Sequence, residues 1–257
     1  MARPMNPTAS RSASPSSPEP QASEPNLKGR VVALVGGSRG IGFAVAQAAA
    51  RAGATVAIIA RDSARLRLAG RALGGVLTVR ADVTQEAQTV RAFRVLAGQC
   101  GRLDALVNSA GTFTYKPFEQ TTIGDWHLNL KSNLTSVFLA TRAALPLLVE
   151  SQGQVVNILS ISSRHAFAQC SAYTAAKFGA LGLTRVLAEE LRPKGIRVTA
   201  VLPGATNTRL IRAFGFPVNR EALVQPEDVA QVVLTALLAP RRTTLGEIVV
   251  TPAGGAV

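Results

Sequence analysis

Seven short apolar runs, rich in β-branched residues, recur along the chain from residue 31 onward. They read VVALV (31–35), TVAII (55–59), VLTVR (76–80), DALVN (104–108), QVVNILS (154–160), IRVTAVL (196–202) and EIVVT (247–251). Most are apolar at consecutive positions rather than at every second one. This pattern predicts strands that are buried on both faces, as in the centre of a parallel sheet.

Longer amphipathic stretches separate these runs. They predict helices near 41–52, 62–73, 85–99, 123–149, 172–192 and 226–238. Alternation of strands and helices at this spacing predicts an α/β Rossmann fold, in which a doubly wound parallel sheet of about seven strands carries helices on both faces. The sequence contains no internal repeat, so we expect a single domain over residues 28–257.

The first 27 residues differ from the rest because they are rich in Pro, Ser and Ala and lack apolar periodicity. Such a composition predicts a disordered tail, with a misassigned start or a weak targeting role as the other interpretations. No continuous apolar segment of a secretory signal is present in it. No unbroken apolar run reaches the roughly 18 residues of a membrane span, so we expect no membrane partner.

The rest of the composition narrows the class of protein. With 257 residues and 47% hydrophobic residues, the chain can bury one sizeable core. Its two cysteines, Cys100 and Cys170, lack metal or redox spacing, which predicts free thiols and a cytoplasmic location. The histidines are equally isolated, so no metal site is expected.

The charge is strongly basic, with a net value of +13 from 28 Lys and Arg against 15 Asp and Glu. Five arginines cluster at positions 61, 65, 67, 71 and 80. No aromatic residues interleave them and no nucleic-acid motif accompanies them, so we expect no nucleic-acid partner. A solvated basic face, or a field that attracts an anionic cofactor or an acidic partner, explains the charge better.

A glycine-rich turn, GGSRGIG (36–42), follows the first predicted strand and opens a helix. Gly36, Gly40 and Gly42 allow a tight turn and a close approach of the backbone to a pyrophosphate at the helix N-terminus. This context predicts a dinucleotide site, to which Ser38, Arg39 and Ile41 of the turn also belong.

The end of the second strand indicates which dinucleotide binds. A site for NAD usually has an acidic residue there, which binds the ribose 2′-hydroxyl, but this chain has Ala60 followed by Arg61. Together with Arg39, Arg61 would suit a 2′-phosphate. Asp62 comes one residue too late unless the loop shifts. We therefore predict NADP(H), with two solvated arginines as the alternative.

Further polar and small residues follow the third, fourth and fifth strands. They are Asp82 and Val83, the NSAG segment with Asn108, Ala110 and Gly111, and Ser160. In SAYTAAK (171–177), Tyr173 and Lys177 lie four residues apart, so a helix would place both on one face. Because the carboxyl ends of parallel strands share one edge of the sheet, these residues are expected around one site.

From about residue 29 to 252 the sequence resembles the short-chain dehydrogenase/reductase family. The resemblance implies a catalytic tetrad of Asn133, Ser160, Tyr173 and Lys177. It also implies cofactor contacts from the glycine turn, from the NSAG segment, in which Ser109 replaces the family's second Asn, and from Pro203, Gly204 and Thr208. Lys177 would then hold the ribose hydroxyls, and Asn133 would position a water that relays protons.

The expected reaction is reduction of a carbonyl to a secondary alcohol by hydride transfer from NADPH. A nearby ammonium is expected to lower the pKa of Tyr173, which would act as the general acid, while Ser160 would stabilise the oxyanion. The chain looks most like 3-oxoacyl-[acyl-carrier-protein] reductases. The alternatives are a secondary-alcohol, sugar or steroid dehydrogenase and, in another class, a non-catalytic dinucleotide sensor or scaffold.

Less specific expectations concern the surroundings of the site. Arg164, His165, Phe167, Phe214 and Phe216 are candidates for the substrate region, although loop surface and ordinary packing explain them equally well. Family members are commonly tetramers, so we expect a homotetramer, or else a dimer, that pairs the helices near 123–149 and 172–192.

Overall fold

All the strands in the described part of the chain belong to one parallel sheet, with the order β3-β2-β1-β4-β5-β6-β7. The computed structural model describes Met1 and residues 26–215 and 219–255. The strands are β1 Val31–Val35, β2 Thr55–Ala60, β3 Leu77–Arg80, β4 Ala105–Asn108, β5 Gln154–Ile158, β6 Arg197–Pro203 and β7 Glu247–Val250. The predicted fold class is confirmed, and the strand bounds differ from the predicted ones by at most two residues.

Helices cover both faces of this sheet. They are α1 Gly40–Arg51, α2 Ser63–Ala72, α3 Glu86–Cys100, α4 Ile123–Leu130, α5 Ser136–Ser151, α6 Ser171–Leu191 and α7 Pro226–Leu238. The single helix predicted over 123–149 is in fact α4 and α5 joined by a π-helical turn, Lys131–Thr135. Hydrophobic periodicity does not distinguish this turn from a continuous helix, because it shifts the register by only one residue.

Alternate residues of each central strand fill two separate cores. In β1, Val32 and Leu34 pack with residues of α1 and α7, whereas Val31, Ala33 and Val35 pack with residues of α3 and α5 on the other face. This two-sided burial is the physical reason for the continuous apolar runs in the sequence.

The strand order reverses at β1, which pairs with β2 on one side and β4 on the other. The loops that follow β1 and β4 therefore diverge and leave a crevice at the carboxyl edge of the sheet. At its floor, the Ser109 N–H donates a hydrogen bond of 2.8 Å to the Val35 carbonyl oxygen. This crevice determines where a ligand can bind.

Most of the predicted disordered tail lies outside the described residues, but its last residue does not behave as tail. Leu27 is buried in the core beside α1, and its N–H donates a 2.8 Å hydrogen bond to the Ala52 carbonyl oxygen. The ordered domain therefore begins before residue 28, because Leu27 has an apolar partner surface that the composition of the tail does not reveal.

The helical stretch Ile123–Ser151 is apolar on average, although polar residues interrupt it and no unbroken apolar run in it reaches membrane length. By length and composition it is apolar enough to cross a membrane, with 29 residues and a mean hydropathy of 1.3 in its 18-residue window. A window average tolerates the few polar residues that interrupt the apolar runs of this stretch. Half of that window is buried inside the molecule, where α5 packs against α3 and β4, as in a core helix.

Candidate active site

A cavity of about 670 Å³ opens at the carboxyl edge of the sheet, beside the crevice between β1 and β4. All four predicted catalytic residues and most of the predicted cofactor residues line it. They are Gly36, Ser38, Arg39, Gly40, Ile41, Arg61, Asp82, Val83, Ala110, Gly111, Asn133, Ser160, Tyr173, Lys177, Pro203, Gly204 and Thr208. Residues from six strand-end loops and from α6 therefore meet at one place, as the strand-end argument predicts, and Asn133 joins them from the π-helical turn.

Two glycines of the turn after β1 are packed too tightly to be replaced by a residue with a side chain. Gly36 has φ +84°, and a Cβ added there would lie 2.6 Å from the Ala110 backbone nitrogen. A Cβ on Gly42 would lie 2.5 Å from the Gly36 carbonyl oxygen. Gly36 lets the turn approach the loop after β4 closely, and Gly42 lets the start of α1 pack against the turn.

The N-terminus of α1 is suited to an anion. Its N-cap residue, Arg39, makes no side-chain capping hydrogen bond, and the first turn contains no acidic residue. The first two residues of the helix, Gly40 and Ile41, line the cavity. Amide donors at a positive helix end fit the pyrophosphate of a dinucleotide.

Four guanidinium groups surround the adjoining end of the cavity. Partial burial lowers the pKa of Arg39, and so do three neighbouring cations. These belong to Arg65, Arg209 and Arg61, in order of decreasing effect. The sequence analysis assigned Arg39 and Arg61 to the cofactor, named Arg65 only within a broader group of five arginines, and did not name Arg209. We call these four residues the arginine cluster.

Asp62 has a structural role beside the arginine cluster. Its Oδ1 accepts hydrogen bonds of 3.1 Å from the Ala64 and Arg65 N–H groups and so caps α2. Its Oδ2 lies 3.3 Å from Arg65 Nε. These interactions lower the pKa of Asp62 and keep its carboxylate at the helix end. Asp62 therefore orients Arg65, which is itself part of the cluster.

Two residues of the predicted cofactor set lie behind the cavity wall. Gly42 packs against the glycine turn itself. Asn108 is 3% exposed, and its Nδ2 donates hydrogen bonds to Thr141 Oγ1 at 3.2 Å and Asn157 Oδ1 at 2.9 Å. Both residues act on the cavity by holding its wall in place.

Ser160, Tyr173 and Lys177 converge at the other end of the cavity. Ser160 follows β5, and its hydroxyl is hydrogen-bonded to that of Tyr173. Lys177 lies one turn further along α6, is 5% exposed and donates a 3.2 Å hydrogen bond to the Ile158 carbonyl oxygen. Its Nζ lies 5.7 Å from the centroid of the Tyr173 ring.

The pKa of Tyr173 differs from the sequence-based expectation. Burial raises it to about 12, and the hydrogen bond with Ser160 opposes this effect only in part. The nearby ammonium of Lys177 does not offset the cost of burying a phenolate. The residues of this chain therefore keep Tyr173 protonated at neutral pH, which is the state that an acid needs.

Replacing Lys177 by Met is expected to stabilise the cofactor-free protein at neutral pH by about 1–2 kcal/mol. Burial lowers the pKa of Lys177 from its ordinary value of 10.5 to about 8, equivalent to a cost of about 3 kcal/mol for burying the ammonium. Loss of the hydrogen bond to Ile158 offsets about 1 kcal/mol of the gain. The cost is fully present below pH 8 and disappears as the pH rises towards 10.5, where the unfolded chain also loses the proton.

Urea unfolding of both proteins at several pH values between 7 and 10.5 measures this effect. The stability advantage of Lys177→Met over wild type should shrink over that range and reverse slightly near its upper end, where only the lost hydrogen bond to Ile158 still counts. Lys194→Met, which alters an exposed lysine, should show no such trend. A gap that is independent of pH would mean that burial of the charge is not its cause.

Asn133 lies in the π-helical turn, and its side chain holds the NSAG loop. Its Oδ1 accepts a 3.3 Å hydrogen bond from the Thr112 N–H, and its Nδ2 donates to the Thr112 carbonyl oxygen at 2.9 Å. A Cβ on Gly111 would lie 2.7 Å from Asn133 Oδ1. The side chain therefore connects the π turn to the loop after β4; its proton-relay role stays a prediction.

The remaining loop candidates separate into two groups. Phe167 and Phe214 line the cavity, and so do Phe113 and Tyr115, which the sequence analysis did not single out although they follow NSAG directly in TFTY (112–115). Arg164 does not line it but pairs with Glu247, as does Arg185. His165 is exposed outside the cavity, and Phe216 lies outside the described residues.

Comparisons with known proteins agree with this geometry. Residues 30–215 match the short chain dehydrogenase family. The chain is 34% identical over 222 residues to an uncharacterized oxidoreductase, YxjF, of Bacillus subtilis, covering 84% of this chain and 86% of that protein.

Two solved structures share the fold. An alcohol dehydrogenase from the archaeon Thermococcus sibiricus, complexed with 5-hydroxy-NADP, has a TM-score of 0.82 at 26% identity, covering 89% of this chain and 98% of that one. A metagenomic short-chain oxidoreductase in complex with NADP has a TM-score of 0.77 at 30% identity, covering 88% and 98%. The family match spans the glycine turn, the arginine cluster and the Ser160–Tyr173 pair, and this chain therefore belongs to the short-chain dehydrogenase family, whose members are oxidoreductases that bind a nicotinamide dinucleotide.

Proposed function

We propose that this protein is an NADPH-dependent reductase that converts a carbonyl group to a secondary alcohol. One observation carries the proposal: a single cavity joins the arginine cluster at one end to the Ser160–Tyr173 hydroxyl pair at the other. The first end suits an anionic nucleotide, and the second suits a carbonyl oxygen.

The arginine cluster favours NADP(H) over NAD(H). Repulsion among these neighbouring positive charges costs free energy unless an anion binds between them. A 2′-phosphate is a suitable anion, because it accepts charge-assisted, bidentate hydrogen bonds from guanidinium groups. The carboxylate of Asp62, which would compete as a partner for a ribose hydroxyl, instead caps α2.

When bound, the reduced nicotinamide supplies a hydride to the carbonyl carbon. Tyr173 gives its phenolic proton to the carbonyl oxygen, and Ser160 donates a hydrogen bond to the same oxygen as negative charge develops there. A tyrosine with a pKa of about 12 is protonated at neutral pH and so holds the proton that this step transfers. The filled Tyr173 and Lys177 positions also favour an enzyme over a non-catalytic sensor.

A 3-oxoacyl thioester remains one substrate to test. The net charge of +13 suits an acidic carrier protein, whose contribution would weaken as salt is added. Arg142, a candidate to meet such a carrier, is exposed and pairs with Glu86 at 3.4 Å. Equal turnover of carrier-linked and simple ketones at all salt concentrations would argue against a carrier.

Assembly and location are also proposals. Phe138 of α5 and Phe178 and Val186 of α6 are large apolar side chains exposed on the surface. Exposed apolar residues on neighbouring helices favour contact with a second copy of the chain, in a dimer or tetramer whose mass sedimentation would measure. A cytoplasmic location remains the expectation from the two unpaired cysteines.

The ratio of kcat/KM for NADPH to kcat/KM for NADH is expected to fall by at least about 100-fold when Arg39 and Arg61 are both replaced by Ser. Each lost charge-assisted hydrogen bond costs about 1.5–3 kcal/mol, or roughly tenfold to a hundredfold in binding. The loss should appear as a higher KM for NADPH, while kcat/KM for NADH changes little. Steady-state rates with each cofactor measure the ratio.

Arg67→Ser is the matched control, because Arg67 is exposed on α2 and does not line the cavity. It should leave the ratio within about twofold, since surface charges far from the phosphate are screened. A wild-type enzyme that prefers NADH, or a double variant with an unchanged ratio, would remove the role assigned to the arginine cluster while leaving the Tyr173 chemistry intact.

A further inference from the structure

Three aromatic rings continue the substrate end of the cavity outward from Tyr173. The Phe113 ring packs edge to face against the Tyr173 ring, with centroids 4.8 Å apart at 80°. The Phe214 ring lies 5.4 Å from that of Phe113 and 5.1 Å from that of Tyr115, again edge to face. We call Phe113, Tyr115 and Phe214 the aromatic wall.

The aromatic wall is assembled from two segments that are distant in the sequence. Phe113 and Tyr115 follow β4, whereas Phe214 ends the 3₁₀ turn Arg209–Phe214 after β6. Leu210 and Ile211 of that turn also line the cavity, as does Phe167 from the loop before α6. Apolar side chains from three loops therefore surround the place that the substituents of a carbonyl group must occupy.

Charge in the cavity is segregated to the opposite end. The arginine cluster gathers around Arg39 beside the glycine turn. Asp62 caps α2, and Asp82, which follows β3, accepts a hydrogen bond from the Thr84 hydroxyl. Lys177 is directed to the Ile158 carbonyl oxygen in the floor. Among the lining residues that the structure describes, Arg209 is the one charged residue on a segment that also supplies the aromatic wall, and its charge acts on Arg39 in the arginine cluster.

A substrate that reaches Ser160 and Tyr173 with its carbonyl oxygen must place its other groups against this wall. A carboxylate there would lose its water without gaining a cationic partner, and the hydroxyls of a sugar would find few partners for their hydrogen bonds. An aromatic ring or bulky aliphatic group would instead bury apolar surface and pack edge to face with the wall.

We propose that the substrate class is an uncharged ketone that carries an aromatic or bulky aliphatic group, and that the aromatic wall selects it against carboxylates and polyols. This inference rests on the proposed function, and it names the substrate that the same site takes. It ranks an apolar ketone above the sugar alternative of the sequence analysis.

The test compares acetophenone with 4-acetylbenzoate, which differ only in a carboxylate. With NADPH, kcat/KM for acetophenone should be at least about 50-fold higher. Phe214→Ala should raise the KM for acetophenone about tenfold, with a much smaller effect on kcat. Phe214→Arg should shift the ratio of the two substrates towards 4-acetylbenzoate by at least about tenfold.

Phe118→Ala is the matched control, because it removes a ring that is 81% exposed and does not line the cavity, and it should leave both KM values unchanged. If 4-acetylbenzoate or a polyol ketone such as erythrulose reacts as well as acetophenone, the inference is overturned while the reductase function stands. An unchanged substrate ratio in Phe214→Arg would also overturn it.

Binding separates this inference from the proposed function. Calorimetric titration of the Tyr173→Phe protein, saturated with its nicotinamide cofactor, measures ketone affinity without turnover. The variant could bind acetophenone tightly and 4-acetylbenzoate weakly while the wild type reduces neither ketone. That result would support the selectivity of the aromatic wall and contradict the proposed reduction. Equal binding of the two ketones, or binding of neither, would overturn the selectivity.

Discussion

Replacing Tyr173 by Phe is expected to lower kcat for carbonyl reduction by about 10³-fold, with NADPH affinity and stability nearly unchanged. A positioned general acid contributes about 10²–10⁴-fold, and Tyr173 is the group whose hydroxyl meets Ser160 in the cavity. The ring that packs against Phe113 remains in the variant. Stopped-flow decay of NADPH absorbance measures the rate, and fluorescence titration measures the affinity.

The same variant identifies the pKa of the acid. The chain has two tyrosines, so the difference in tyrosinate absorbance between wild type and Tyr173→Phe isolates Tyr173. Without cofactor its midpoint should lie near 12, because burial disfavours the phenolate. Oxidised cofactor, which brings a positive charge, should lower it. Retention of more than a tenth of the wild-type kcat would show that another group or water supplies the proton.

Replacing Gly36 by Ala is expected to weaken NADPH binding at least about 100-fold and to destabilise the fold by about 3 kcal/mol or more. The new Cβ would lie 2.6 Å from the Ala110 nitrogen and 2.7 Å from its Cα. Both are backbone atoms held at the sheet edge, so the glycine turn must move away from the loop after β4. That movement separates the two sides of the cofactor crevice.

Gly75→Ala separates this clash from backbone strain. Gly75 has φ +87°, close to the +84° of Gly36, but a Cβ there meets nothing within 4 Å. Its cost should be only that of the left-handed conformation, about 1–2 kcal/mol, with no effect on NADPH binding. Equal losses in the two variants would show that φ, rather than the contact with Ala110, determines the effect.

The sequence predicted the fold closely, because the apolar runs of the strands and the residues that end each strand are both local signals. Runs such as VVALV mark strands that are buried on both faces, and the following glycines and helix starts fix where each strand ends. It did not predict the π turn at Asn133, which changes the register by one residue, or the burial of Leu27. Both depend on contacts with distant segments rather than on neighbouring residues.

The candidate site was predictable to the extent that it follows strand ends. Gly36, Ser160, Tyr173 and Lys177 come at positions where a parallel sheet brings its loops together. Arg65 was not separated from the other clustered arginines and Arg209 was not identified, because no spacing rule connects a residue of α2 with one that follows β6. The aromatic wall was missed in part for the same reason: Phe113 and Phe214 are about a hundred residues apart.

The sequence by itself determined the sheet, the glycine turn and the residues that could exchange a proton. Only the tertiary structure decided how those residues behave. Burial moves the pKa of Tyr173 up and that of Lys177 down, because desolvation depends on everything packed around a group and not on its neighbour four residues away. Folding likewise decided which of the many arginines gather around the cofactor end, and which rings line the substrate end.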